Sequence, residues 1–434
     1  MLYSNIRKLG KISAAILLSC TFVIGALPAS GAAAAANAAP PSAAAQSSAV
    51  HEPYRIVAIG DSLTAGYELG FTEDSKPYGY VERIYEQALF RGRTEVANYG
   101  ILGLRTEGLD AWLAAARDGR EITPAEIAGA AVDPRADAIV KSTAQLGRDL
   151  QQADLVVITI GANNFTELMD QMNQSREAID SWRTAALDAY EASLESAVRT
   201  LLEIRPEASI VVSDFYSPVP NLPIAGITAA QYQLFQDTIG LIKERLASVV
   251  QRFETAGSDV RAAYSADAFV GKEASMTYII RRDIHPNQTG YAAIGGAFAL
   301  SIWGDERQVA PRAEGVSISV VVDGSEMLTV NRPVLKQDRT YLAIKDIADA
   351  MKATTVWDAK AKTATIRSGS REVVLQIDSA VMHVNGQPVA IDTPAYLQPM
   401  NGEMKTYVPL AVLADGLGFQ VVYSANTKTA FINR

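Results

Sequence analysis

Short apolar runs alternate with amphipathic segments over residues 54–303, and this alternation restricts the fold more than any other feature. The runs are Arg55–Ile59, Glu95–Asn98, Asp154–Ile160, Ser209–Ser213 and Val260–Tyr264. Between them, apolar residues recur at spacings of three and four, as in Leu187, Tyr190, Leu194, Val198 and Leu201. Strands that alternate with helices in this way form a parallel sheet covered by helices on both faces.

The connections also carry helix signals. A second amphipathic pattern runs from Leu234 to Phe253, and a last helix is predicted to begin at His285-Pro286, since proline suits a first helical turn. The Ala-rich segment 106–150 is too long for a simple connection and has a helical pattern of its own. We expect it to contain inserted helices that form a lid or wall over the site.

The first 51 residues have the composition of an export segment. Basic residues at Arg7, Lys8 and Lys11 precede the apolar stretch Ile12–Leu27 and then small residues. The stretch is shorter than the ~20 residues of a membrane span. We therefore predict a signal peptide over 1–32 and a disordered spacer over 33–51, with a retained anchor as the alternative. The only cysteine, Cys20, lies in the signal, so the mature chain has no disulfide and no catalytic cysteine.

Charge excludes some partners. The formal net charge is -9, and removal of the basic signal makes the mature chain more acidic. An acidic chain is repelled by nucleic-acid backbones and anionic membranes, so neither is expected as a partner.

The run from Ile56 to Tyr67 is the first candidate for chemistry. A β-branched strand leads directly into Gly60, Asp61 and Ser62, and a helix-like segment follows. Such a turn exposes a serine hydroxyl at the carboxyl end of a strand, beside backbone N–H groups, as a nucleophile requires. The alternative is an ordinary strand-to-helix turn with Ser62 as N-cap.

Elimination identifies the base that a nucleophilic Ser62 would need. Of the three histidines, His51 lies in the spacer and His383 in the C-terminal region, which leaves His285 in the α/β region. A histidine before proline at a helix start can also be a cap. Turns after the second and third strands, 98–103 and 161–164, offer backbone and asparagine N–H donors for an oxyanion.

Four blocks in this order resemble the SGNH, or GDSL-type, esterase and lipase family. The blocks are Gly60–Leu63, Asn98–Gly103, Gly161–Asn164 and His285–Asn287. The resemblance implies a flavodoxin-like α/β/α sandwich, with Ser62 as nucleophile and His285 as base. It also implies an oxyanion hole formed by the N–H groups of Ser62 and Gly103 and the amide of Asn163. No metal or other cofactor is implied, and the sequence shows no cluster of metal ligands.

One position departs from the family pattern. The family usually has an aspartate three residues before the histidine, where this chain has Arg282, and the nearest acid is Asp283. In an extended segment, a shift of one residue turns a side chain to the opposite side. Three outcomes are open: the loop rearranges so that Asp283 still orients His285, a backbone carbonyl orients the ring in a Ser-His dyad, or activity is weakened.

An internal repeat defines the C-terminal part. Residues 339–366 match 405–432 at an offset of 66, as where Thr340-Tyr341 recurs as Thr406-Tyr407. Each unit is predicted to contain a hairpin-like start, a short helix and two strands, and to bury its apolar face against its twin. We therefore divide the mature chain into a hydrolase domain (52–304), a polar linker (305–315) and a small α+β domain of two repeats (316–434).

The repeated region resembles the copper amine oxidase N-terminal-like, or stalk, domain of secreted proteins of Gram-positive bacteria. Arg339–Leu342 and Lys405–Leu410 carry its motif. His383 stands alone there, and one histidine does not form a copper site. The resemblance implies a cell-surface location and a role in attachment to a wall polymer, or as a spacer.

These observations favour a secreted carboxylic ester hydrolase acting on a small ester, a lipid or an acylated glycan. The alternatives are a carbohydrate O-deacetylase on acetylated glycan or wall polymer, an acyltransferase that excludes water from the same serine, and a surface-binding protein with an inactive hydrolase fold. No motif specifies acyl chain length or oligomeric state.

Overall fold

A five-stranded parallel sheet forms the centre of the N-terminal domain. The computed structural model describes residues 52–171, 174–221, 227–337 and 339–434, so the predicted signal peptide and spacer lie outside the described residues. The strands are β1 (Tyr54–Gly60), β2 (Thr94–Gly100), β3 (Leu155–Thr159), β4 (Ser209–Ser213) and β5 (Val260–Ala263). Their order is β2-β1-β3-β4-β5, and every pair is parallel. This is the flavodoxin-like order, so the predicted sheet is confirmed.

Helices cover both faces of this sheet. They are α1 (Tyr80–Leu89), α2 (Thr106–Asp118), α3 (Ala136–Val140), α4 (Thr143–Gln151), α5 (Leu168–Gln171), α6 (Arg176–Ile204), α7 (Ala229–Thr255), α8 (Glu273–Met276) and α9 (Gln288–Trp303). Residues of α2, α4, α6 and α7 pack in one core, and residues of α1 and α9 pack in the other. Among the described residues, no helix is both long and apolar enough to cross a membrane.

Strand β1 shows why the sheet is buried on both faces. Val57 and Ile59 belong to one core, and Ile56 and Ala58 belong to the other, because successive side chains of a strand point in opposite directions. A run that is apolar at every position, rather than at alternate ones, is typical of a parallel strand between two helical layers.

Two predicted helix starts are wrong. Ser62 is followed by hydrogen-bonded turns, not by a helix, because Gly66 has a left-handed φ of 69°. The last helix, α9, begins at Gln288. Its N-cap is Asn287, whose side chain accepts from two backbone N–H groups of the first turn, while Pro286 pairs with Thr277 as an isolated bridge.

The segment 106–150 is only partly an insertion. Helices α2 and α4 belong to the helical layer, with Trp112 and Leu146 fully buried in the shared core. Between them lie α3 and two 3-10 turns, Pro124–Glu126 and Ala130–Val132. Part of this stretch, residues 128–135, contacts the loop that follows β2, as described below.

The C-terminal domain is rich in β-structure and contains three sheets. Its elements are β6 (Ser319–Val322), β7 (Ser325–Glu326), β8 (Val334–Lys336), β9 (Arg339–Ala343), α10 (Ile344–Ala350), β10 (Thr354–Asp358), β11 (Thr363–Ser368), β12 (Arg371–Gln376), β13 (Val381–Val384), β14 (Gln387–Ala390), β15 (Tyr396–Met400), β16 (Glu403–Pro409), α11 (Leu410–Gly416), β17 (Gln420–Ser424) and β18 (Thr429–Asn433). The sheet orders are β10-β11-β12-β13-β14, β15-β16-β9-β8 and β17-β18-β6-β7.

The two repeats are related by a local two-fold axis. Leu342 of β9 pairs with Val408 of β16, and these positions differ by the repeat offset of 66. Both residues are fully buried in one core with the apolar faces of α10 and α11. The hairpin β6-β7 joins the sheet of the second repeat, and β13-β14 joins that of the first, so the repeats exchange strands.

The second repeat packs directly against the N-terminal domain. Phe431 meets Phe90 edge-to-face at 5.0 Å between ring centroids. The Gln420 side chain accepts from the N–H of Thr94 at 3.0 Å and donates to its carbonyl at 2.6 Å. Because Thr94 begins the edge strand β2, the Gln420 amide satisfies backbone groups that the sheet leaves open at this edge.

Candidate active site

Ser62 lies in the turn that leaves the carboxyl end of β1. The turn begins at Gly60, with φ 152°, where a Cβ atom would lie 2.1 Å from the carbonyl oxygen of Thr159. Only glycine fits so close to the neighbouring strand. The carboxylate of Asp61 accepts from the N–H of Leu63 at 3.0 Å, and this contact fixes the backbone around the serine.

His285 connects Ser62 to Asp283. Its Nε2 atom lies 2.8 Å from the Ser62 hydroxyl oxygen, and its Nδ1 atom lies 2.7 Å from a carboxylate oxygen of Asp283. With the proton on Nδ1, the ring donates to Asp283 and presents a lone pair to the serine hydroxyl. The structure thus brings together the three residues that the sequence predicted as nucleophile, base and orienting acid.

A left-handed residue allows Asp283 to reach His285 over the shortened spacing. Arg282 has a φ of 63° and ends a 3-10 turn, Ile279–Arg281, so the chain reverses direction before Asp283. One oxygen of Asp283 then accepts from both the backbone N–H of His285, at 2.8 Å, and its ring Nδ1. Because the segment is a turn and not an extended strand, the one-residue shift does not point the carboxylate away.

Hydrogen bonds from three tyrosines anchor the loop that carries His285. Tyr216 donates to the carbonyl of Ile284 at 2.9 Å, and Tyr278 donates to Glu68 at 2.9 Å. Tyr291 of α9 donates to the carbonyl of Tyr67 at 2.7 Å. His285 is therefore held against the same turn that carries Ser62.

Gly103 and Asn163 occupy neighbouring loops at the carboxyl ends of β2 and β3. The Asn163 amide donates to the carbonyl of Leu104 at 2.9 Å, its one acceptor in the described part of the chain, and an amide carries a second N–H that can serve another acceptor. Gly103 has a φ of 80°, a conformation that favours glycine. Among the described residues, neither its N–H nor that of Ser62 has a hydrogen-bond acceptor.

The loop after β2 is also fixed to the serine turn. The N–H of Ile101 donates to the carbonyl of Gly60 at 2.9 Å, and the Asn98 amide donates to the carbonyl of Thr64 at 2.7 Å. Asn164 accepts from the N–H of Thr106 at 3.1 Å and so caps α2.

Burial and nearby charge determine the pKa values of two carboxyl groups close to Ser62, those of Asp61 and Asp283. Burial raises the pKa of Asp61 to about 6, against hydrogen bonds from the Leu63 N–H and the Thr159 hydroxyl. Burial also opposes ionisation of Asp283, but the contacts with His285 outweigh it and hold the pKa of Asp283 below its usual range. Asp283 is therefore charged at neutral pH and can stabilise a protonated His285.

Sequence reasoning assigned no role to several residues around this site. Tyr67 packs against the His285 ring with centroids 4.2 Å apart. Its hydroxyl is close enough to Asp283 to help lower the pKa of that carboxyl, after the larger effect of His285. Asp133 and Arg135 contact the loop before Gly103. Tyr67 lies in the serine run itself, whereas nothing in the local sequence pattern distinguishes Asp133 or Arg135.

The described residues contain no group of three or more histidine, cysteine, aspartate or glutamate side chains that could hold a metal ion. In the C-terminal domain, His383 lies exposed on β13, and the residues around it do not fit a copper site.

Two family models match the chain. Residues 58–293, more than half of the chain, match the GDSL-like lipase/acylhydrolase family, and residues 321–432 match the copper amine oxidase N-terminal domain. No curated protein matches the chain significantly.

Several solved structures are similar to the N-terminal part. A lipase from a goat rumen metagenome is 18% identical with a TM-score of 0.41, over 58% of this chain and 99% of that one. An acetyl-xylooligosaccharide esterase from Geobacillus Stearmophilus is 18% identical with a TM-score of 0.34, over 59% and 97%. An extracellular lipase from Streptomyces rimosus is 17% identical with a TM-score of 0.35, over 55% and 97%.

Proposed function

The chain belongs to the GDSL-like lipase/acylhydrolase family, and we propose that it hydrolyses carboxylic esters through an acyl-enzyme on Ser62. The alignment of Ser62, His285 and Asp283, at 2.8 Å and 2.7 Å, carries this proposal. A serine hydroxyl is a weak nucleophile until a base within hydrogen-bond distance takes its proton, and here the base is in turn held by an ionised acid.

The proposed reaction has two halves. His285 removes the Ser62 proton as the hydroxyl oxygen attacks the ester carbonyl carbon, and the protonated ring then gives that proton to the departing alcohol. Water attacks the acyl-enzyme with His285 again as base, which releases the carboxylic acid and restores the serine.

The negative charge that forms on the carbonyl oxygen needs donors that are already in place. The N–H groups of Ser62 and Gly103 and the second N–H of the Asn163 amide supply them in this proposal. Loss of one such donor typically costs about 3–4 kcal/mol of transition-state stabilisation.

Hydrolysis of p-nitrophenyl acetate, butyrate and octanoate tests the function. We expect turnover by the protein and by Ser370→Ala, a control at an exposed serine in the turn between β11 and β12 of the C-terminal domain, and none by Ser62→Ala. An acetate-selective profile would indicate the O-deacetylase, and activity on octanoate a lipase-type esterase. Absence of hydrolysis of all three esters, or activity that survives Ser62→Ala, would contradict the proposal.

We also propose that the protein is secreted and that its C-terminal domain attaches to a cell-wall polymer of a Gram-positive bacterium. Trp357 and Tyr423 occupy equivalent repeat positions and are 44% and 57% exposed, as aromatic platforms for sugar rings are. Sedimentation of the Ser62→Ala protein with insoluble wall material should fall when both aromatics are changed to alanine. Failure of the parent protein to sediment would indicate a spacer.

A further inference from the structure

Residues 128–135 pack against the loop that presents Gly103. The N–H of Arg105 donates to the carbonyl of Ala128 at 3.1 Å. A Cβ atom on Gly129 would lie 1.9 Å from the carbonyl oxygen of Gly103, and one on Gly103 would lie 2.3 Å from a methyl group of Val132. The two segments are in such close contact that a side chain added at either glycine would push the other segment away.

An ion pair in this segment, with a buried carboxylate and a partly exposed guanidinium, binds the same loop at two points. Asp133, whose side chain is fully buried, accepts from the N–H of Leu102 at 2.8 Å. The Arg135 guanidinium donates to Asp133 at 2.8 Å and to the carbonyl of Gly100 at 3.1 Å. The pair therefore holds a carbonyl and an N–H group on either side of Ile101, directly before the peptide that carries the Gly103 N–H.

Arg135 also reaches towards the base through two aromatic rings. Its guanidinium lies over the ring of Phe71, 5.1 Å from the centroid. Phe71 packs against Tyr67 at 5.5 Å between centroids, and Tyr67 packs against His285 at 4.2 Å. One side chain thus contacts the oxyanion loop on one side and the packing around His285 on the other.

We propose that Asp133 and Arg135 are positioning residues that fix the Gly103 N–H relative to Ser62 and His285. The inference rests on the proposed function and assigns a catalytic purpose to part of the 106–150 segment. Burying the Asp133 carboxylate carries a desolvation cost that a surface ion pair avoids, so a role in stability alone is a weak reason for this pair. A donor stabilises the transition state only if it already points at the developing charge, which is what the two contacts secure.

Steady-state kinetics of Arg135→Gln, Arg135→Lys and Asp133→Asn test this role. Because small misplacements of catalytic groups can cost about 100-fold, we expect kcat to fall roughly 10- to 100-fold in Arg135→Gln and Asp133→Asn, with KM nearly unchanged. Arg135→Lys keeps the positive charge but lacks the planar guanidinium with its paired donors, so its kcat should lie between those of the parent and Arg135→Gln. The matched control is Arg120→Gln, which breaks an exposed ion pair with Glu126, just before residues 128–135, and should leave kcat unchanged.

Hydrogen exchange separates this proposal from the proposed function. Exchange of the 100–105 backbone should accelerate in folded Arg135→Gln and stay unchanged in Arg120→Gln, whether or not the protein hydrolyses esters. Accelerated exchange in a protein without esterase activity would overturn the proposed function, but not the positioning role of Asp133 and Arg135. Unchanged exchange would overturn the positioning role of Asp133 and Arg135. A kcat within twofold of the parent, in folded variants of an active enzyme, would overturn it as well.

Discussion

At the scale of single residues, Asp283 decides whether the site is a triad or a dyad. Its carboxylate contacts both the ring and the backbone N–H of His285, and these contacts lower its pKa. In the proposed mechanism, this charge stabilises the imidazolium that forms when Ser62 gives its proton to His285.

Replacing the charge of Asp283 should show whether the site works as a triad or as a Ser-His dyad. We expect Asp283→Asn to lower kcat by about 10⁴-fold, the size of effect measured in serine proteases when the equivalent acid loses its charge. The measurement is steady-state hydrolysis of p-nitrophenyl acetate, with the exposed Asp74→Asn as control. A kcat within tenfold of the parent would instead indicate a Ser-His dyad oriented by backbone.

Asp61 makes a prediction about stability and pH. Burial raises its pKa to about 6, above the value near 3.8 of an exposed aspartate, so between these values the folded state binds more protons than the unfolded state. Its contribution to the free energy of unfolding therefore falls as pH rises through this window. Two pKa units correspond to about 3 kcal/mol.

Asp61→Asn should remove that pH dependence. Urea unfolding at intervals from about pH 4 to pH 7 should show the parent losing about 3 kcal/mol relative to the variant. Asp74→Asn, a change at an exposed residue, should follow the parent. Parallel curves for parent and Asp61→Asn would mean that Asp61 keeps an ordinary pKa in the folded protein.

At the scale of elements, the turn through Arg282 explains how a shortened acid-to-base spacing still brings Asp283 to His285. A left-handed conformation costs an L-residue roughly 1–2 kcal/mol, and glycine almost nothing. The cost is higher for β-branched side chains.

Substitution at Arg282 tests the turn. Arg282→Gly should keep kcat and raise thermal stability slightly, whereas Arg282→Val should lower both, because valine resists the conformation that points Asp283 at the ring. Circular dichroism melts and esterase assays on the same preparations measure the two effects. Equal kcat in both variants would show that the turn does not orient the acid.

Elements with local signals were predictable from the sequence, and elements made by distant contacts were not. The five strands and four site blocks follow from short apolar runs and turn residues. The Asp283 geometry was not predictable, because it depends on one left-handed residue. The contacts of Asp133 and Arg135 join residues 31 and 35 positions apart, and no periodic pattern marks them.

In the C-terminal repeats, too, one part of the structure was predictable from the sequence and another was not. An offset of 66 predicts twin units that bury apolar faces against each other, and the pairing of Leu342 with Val408 agrees with it. The exchange of hairpins between the units was not predictable, since sequence similarity shows which strands are equivalent but not which sheet each one joins.

At the scale of the whole molecule, the second repeat and the N-terminal domain share a small apolar core. Leu89 and Phe90 of the N-terminal domain pack with Val321 of the exchanged hairpin β6-β7 and with Phe431 of β18, all nearly fully buried. The Asn433 amide donates to the carbonyls of Leu89 and Gly92 at 2.9 Å and 3.0 Å. Such an interface couples the unfolding of the two parts.

Loss of this core should uncouple them. Phe431→Ala leaves a cavity worth about 3–5 kcal/mol, so one calorimetric transition in the parent should become two in the variant. Tyr423→Ala removes an exposed ring from the same strand pair and should keep a single transition. A single unchanged transition in Phe431→Ala would show that the domains do not depend on this contact.

Covalent labelling tests whether Ser62 is an activated nucleophile, as the proposed function requires. A fluorophosphonate reacts with a serine whose proton has a base to accept it, and peptide mass spectrometry then locates the adduct. We predict one adduct, on Ser62, that disappears in His285→Ala while that variant stays folded. An unlabelled Ser62 in folded protein, or a label that persists without His285, would contradict the account.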